Sequence, residues 1–189
     1  MRITLAAVIL AAILTPSLAF AQSGMAGTPP TAAPAAAQPT GPAAEVQRNY
    51  AGVKKNILAS ADKMPAETFS FKPEPDVRTF ARVLNHVTEA QLHVCAAVNG
   101  TDAAALPKVP AETADKAIIV EALKASFAEC DKAYASITDT NLTDALSMGP
   151  VKRSRIGALW GNASHDNEQY ATLALYLRLK DIQPPSSEK

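Results

Sequence analysis

The sequence predicts an all-α protein whose core is an antiparallel four-helix bundle. Three observations point there: four long segments repeat apolar residues three and four apart, no run alternates as a strand would, and no internal repeat appears. The connections between the four segments are of moderate length. The bundle needs only part of the 189 residues.

Residues 1–21 have the layout of a secretory signal. Arg2 supplies the positive start, residues 5–14 form an apolar run short for spanning a bilayer, and Ala19-Phe20-Ala21 is a small-x-small cleavage site. The mature chain is expected to begin near Gln22 and to be exported, to a bacterial periplasm or outside the cell. No cysteine follows the apolar run, so no lipid anchor is expected, and no membrane contact after cleavage. Residues 22–44 are dominated by Ala, Pro, Gly, Thr and Ser and include Pro29, Pro30, Pro34, Pro39 and Pro42. Such a segment has little to bury and reads as a disordered tether. The folded domain is left as residues 45–187.

Within it the first helix is expected over residues 45–61. Val46, Tyr50, Val53, Ile57, Ala61 and Met64 share one face, and Pro65 stops the helix. Phe69 and Phe71 lie in a proline-punctuated connection and should pack back on the bundle. The second helix is expected from residue 77 or 78 to residue 98, with Phe80, Leu84, Val87, Gln91, Val94 and Val98 as its stripe and Asn99-Gly100 as its stop. The third, over residues 113–137, has the cleanest seam: Val120, Leu123, Phe127, Cys130, Tyr134 and Ile137. After a link through Gly149-Pro150, Ser154 is placed to cap a fourth helix running to about Lys180, closed by Pro184-Pro185. Helices two and three are expected to be antiparallel neighbours.

Charge is balanced, with 18 Lys and Arg against 18 Asp and Glu, and no basic run interleaves with aromatics. Nucleic acid is therefore not expected as a partner. Of the three histidines, His86 lies beside the stripe of helix two and His165 lies on helix four. Cys95 and Cys130 sit on helices two and three. In an oxidising compartment they either pair or remain two buried thiols, depending on whether their Cα atoms come within about 7 Å. No Cys-x-x-Cys is present, so a redox enzyme is not indicated.

Two separated motifs carry a family likeness. The first comprises Met64-Pro65, Phe69-Ser70-Phe71-Lys72-Pro73, Val77-Arg78-Thr79-Phe80 and Leu84-Asn85-His86-Val87. The second runs from His165-Asp166-Asn167-Glu168-Gln169-Tyr170 through Tyr176-Leu177-Arg178-Leu179-Lys180 to Pro184-Pro185-Ser186-Ser187. Together they resemble the DinB-like family, the DinB/YfiT superfamily. The resemblance implies a four-helix bundle holding a divalent metal, zinc or nickel, by one histidine of the second helix and two of the fourth, four residues apart. Carried over, the ligand positions are His86, His165 and Gln169. Some members are thiol-dependent transferases and isomerases, an activity not carried over to this chain.

The residues give that site its own logic. Positions 165 and 169 are one turn apart on one helix face, so both can reach an ion that a facing helix also contacts. Glutamine is a weak neutral donor beside imidazole, and Glu89 or Glu168 could supply a carboxylate instead. His93 cannot share an ion with His86, being about 10 Å further along the helix. Gly157 and Gly161, one and two turns before His165, either open a ligand cavity or let the helix approach a neighbour. Three functional readings follow: a metal-binding bundle acting on an unknown small molecule, a metal-free binding or interaction module, and a homodimer formed through an exposed helix face.

Overall fold

The computed structural model describes residues 39–188. The signal segment and most of the tether read from the sequence lie outside the described residues. Four helices build the fold: α1 (Pro42–Lys63), α2 (Phe80–Asn99), α3 (Lys116–Ala135) and α4 (Arg155–Arg178). Their ends follow local chemistry. The Thr79 hydroxyl accepts from the Arg82 N–H at 3.0 Å to start α2, and Gly100 ends it at φ 69°, a left-handed conformation that costs glycine little. Ser154, expected as the cap of α4, accepts from the Gly157 N–H at 3.2 Å. In the first turn of α1, the Ala43 N–H donates to Asp139 at 3.0 Å.

The bundle expected from the sequence is present, and its seams are the expected ones. Val46, Tyr50, Val53, Ile57, Ala61 and Met64 of the first stripe are all buried, as is every residue of the third-helix seam. Tyr50 stacks on Tyr134 with ring centroids 3.8 Å apart, joining α1 to α3. Phe69 and Phe71 pack back as expected, Phe69 against Phe80 and Phe71 against Tyr176. Among the described residues no helix is long and apolar enough to cross a membrane.

Two features differ from expectation. Helices α2 and α3 run parallel: Gln91 meets Ser126, and four residues later Cys95 meets Cys130. The direction of α4 is opposite to both, since Arg78 pairs with Tyr176 and Cys130 lies beside Asn162. The order is therefore up-down-down-up, with residues 100–115 as the crossover between the two parallel helices. The second difference is a small antiparallel hairpin where only a link was expected. Strands β1 (Ala145–Met148) and β2 (Val151–Ser154) pair Met148 with Val151, and Gly149 opens their two-residue turn at φ 62°.

Parallel packing puts the two cysteines at one height, each about four turns into its helix. They form a disulfide with Cα atoms 5.0 Å apart. Above it, Glu129 ties α3 to the end of α2. Its carboxylate accepts from Asn99, Thr101 and Lys132, and these bonds hold its pKa at about 2. Because the folded pKa is depressed, the associated stability is present above about pH 5 and lost as the pH falls toward 2. Replacing Glu129 by Gln should remove up to about 3 kcal/mol at neutral pH and flatten stability between pH 5 and pH 2. Urea midpoints across that range test it.

Candidate metal centre

The candidate site lies where α2 and α4 face each other. His86 and His165 are both half-buried, and their Nε2 atoms approach to 3.1 Å with the rings edge to face. Each ring presents its other nitrogen to a carboxylate. His86 Nδ1 lies 3.6 Å from Glu89, close enough for the charge to orient the ring, and His165 Nδ1 lies 3.4 Å from Asp166.

Both carboxylates are themselves held. Arg82 grips Glu89 with two bonds of 3.1 and 3.0 Å. Asp166 is fully buried and accepts from Gln91 at 3.0 Å, while the Gln91 carbonyl accepts from Ser126 at 2.7 Å. Burial raises the Asp166 pKa, and the bonds from His165 and Gln91 oppose that rise. Burial also lowers the pKa of His86, with the charge of Arg78 and the neighbouring His165 acting in the same direction.

This arrangement constrains the protons. If each Nδ1–H faces its carboxylate, both Nε2 atoms carry lone pairs toward each other. At 3.1 Å that contact is repulsive unless a proton or a cation lies between them. Two nitrogens bound to one tetrahedral ion at about 2.0–2.1 Å would stand about 3.3 Å apart, so the observed spacing fits an ion with little movement.

The other residues sort clearly. Gln169 is buried one turn beyond His165. Glu89 faces His86 from the Nδ1 side, away from the point where the Nε2 atoms meet, so it orients the ring and does not complete a shell. Glu168 is exposed. Among the described residues no group of three or more His, Cys, Asp or Glu converges to hold an ion. His93 is exposed beside Met148 and Val151 of the hairpin, far from the pair as expected.

Among the described residues, neither glycine before His165 lies against a neighbouring helix. A Cβ at Gly161 would stand 2.9 Å from the Arg153 guanidinium, and one at Gly157 would stand 2.9 Å from the capping hydroxyl of Ser154. The sequence reading missed Asp166, Gln91 and Arg82 as supports of the site. Gln91 carries a signal in the sequence, as a polar side chain on an otherwise apolar stripe.

No match was found among curated proteins. Two solved structures share the fold. One is a DinB-like protein from Bacillus cereus, with a TM-score of 0.61 at 15% identity over 74% of this chain and 93% of that one. The other is a DinB-like protein from Bacillus subtilis, with a TM-score of 0.56 at 12% identity over 72% of this chain and 92% of that one. A sequence profile of the DinB superfamily matches residues 49–173, which run from within α1 through most of α4 and include His86 and His165. Profile and fold agree over most of the bundle, and the chain belongs to the DinB superfamily.

Proposed function

We infer that this chain binds a divalent cation, zinc or nickel, through Nε2 of His86 and His165, with the Gln169 carboxamide as a third, weaker donor. The supporting observation is the pairing of Nε2 atoms at 3.1 Å while Glu89 and Asp166 occupy the Nδ1 sides. Carboxylates in those positions fix ring orientation and raise ligand basicity. A bound cation would act as a Lewis acid toward an oxygen or sulfur of a small molecule. The chain's own residues would orient the two rings and keep Asp166 dry.

A second reading is a metal-free interaction module, in which one imidazole donates to the other through the same 3.1 Å contact. The lack of a third His, Cys, Asp or Glu at that point among the described residues favours it. Protein purified without an affinity tag and incubated with zinc or nickel distinguishes the two. The first reading expects one equivalent of metal after dialysis; less than a tenth of an equivalent for both ions would leave the second.

The same reading places the chain outside the cytoplasm. The secretory layout of residues 1–21 supports this, as does a buried disulfide, which persists in an oxidising compartment. Mass spectrometry of the protein from an exporting host should find an N-terminus near Gln22.

A further inference from the structure

A cavity of about 420 Å³ lies between the segment leading into α2 and the second half of α4. That is the volume of a small-molecule site. Arg78, Val83, Gln169, Thr172 and Tyr176 line it, and Asp76 is its one acid. The cavity adjoins the histidine pair: Val83 is one turn before His86, and Gln169 is one turn after His165.

Arg78 is the distinctive wall residue. Among the described residues it has no carboxylate within ion-pair reach, whereas nearby Arg82 is fully engaged by Glu89. Arg78 is itself exposed. The backbone that carries it is fixed, because the Tyr176 hydroxyl donates to the Arg78 carbonyl at 2.8 Å and Phe71 packs edge-on against the same tyrosine. An unpaired guanidinium on a fixed backbone, facing a cavity with a carboxamide and a hydroxyl, is suited to a planar anion.

We propose that this cavity binds a small organic carboxylate, with Arg78 holding the carboxylate group and the rest of the ligand directed past Gln169 toward His86 and His165. The proposal deepens the metal-binding reading by giving that site its ligand class, but the contact with Arg78 does not require a cation. Valine on one wall and the aromatic ring of Tyr176 on another leave room for a short aliphatic spacer.

Succinate is a suitable probe, added to the full chain both free of metal and loaded with zinc, with binding followed by calorimetry. Wild type should bind succinate in both forms, and Arg78→Gln should weaken that binding at least about tenfold while leaving the ligand-free thermal midpoint unchanged. Arg78→Lys should recover part of the loss, since it keeps the charge without the planar fork. Equal binding by wild type and Arg78→Gln, or no binding by wild type, would overturn the proposal. Preference for putrescine over succinate would overturn it too, because Asp76 would then set the charge. If succinate binding depends on Arg78 yet zinc never binds, the carboxylate site stands and the metal reading falls.

Discussion

Removing the Cys95–Cys130 disulfide is expected to lower the unfolding free energy by about 4 kcal/mol. The figure comes from loop closure. The bond spans 35 residues, and a loop of that length loses roughly this much entropy from the unfolded chain when crosslinked. The loop also contains the crossover, residues 100–115, which must return the chain along the bundle before α3 can run parallel to α2. The crosslink therefore ties two consecutive helices that do not pair as a local hairpin. Both cysteines are buried, so reductant should attack slowly in the native state and readily in denaturant. Urea unfolding of oxidised wild type against Cys95→Ala/Cys130→Ala measures the difference. A change below about 0.5 kcal/mol would show that the bond contributes nothing in solution.

The same pair shows where the sequence was sufficient and where it was not. Each helix was legible because the periodic stripe is the buried face: Val46 through Met64 and Val120 through Ile137 needed no further information. Direction was not legible from stripes, which look alike for parallel and antiparallel neighbours. Length was the available clue. The crossover has about 16 residues, more than an antiparallel helix pair uses, and extended it spans more than the roughly 30 Å of a 20-residue helix. With α2 and α3 antiparallel, Cys95 near the end of one and Cys130 past the middle of the other would stand at different heights; the parallel arrangement brings them level.

The hairpin was missed for a different reason. Each strand has only four residues, and only Leu146 and Met148 alternate inward, half-buried against the core, too short a run to read as a strand. Only Gly149, required at positive φ, marked the turn. At the site, His86 and His165 were legible from the family likeness, and the structure brings them together. Asp166 was not, and Gln91 showed only as a polar residue on an apolar stripe, because a buried polar chain across three helices depends on register between helices, which the sequence does not state.

Changing Gln169 to His should strengthen binding of zinc by at least about 100-fold over wild type. Position 169 is buried on α4 one turn beyond His165, so an imidazole there enters the region that His165 already faces. Adding a nitrogen donor to two others matches the three-ligand sets that hold catalytic zinc, whereas carboxamide oxygen binds it weakly. Gln169 also lines the cavity beside Arg78, so the exchange should reduce room for a carboxylate while raising metal affinity. His165→Ala provides the opposite arm. It removes one of the two converging Nε2 atoms and should abolish zinc binding in both the wild-type and Gln169→His backgrounds. The metal-free reading expects a different pattern: His165→Ala breaks the 3.1 Å contact and lowers stability, and neither variant changes metal content. Competition of each variant with a chromogenic chelator, paired with its thermal midpoint, separates the two patterns, because only a ligand's loss changes affinity without requiring a loss of fold.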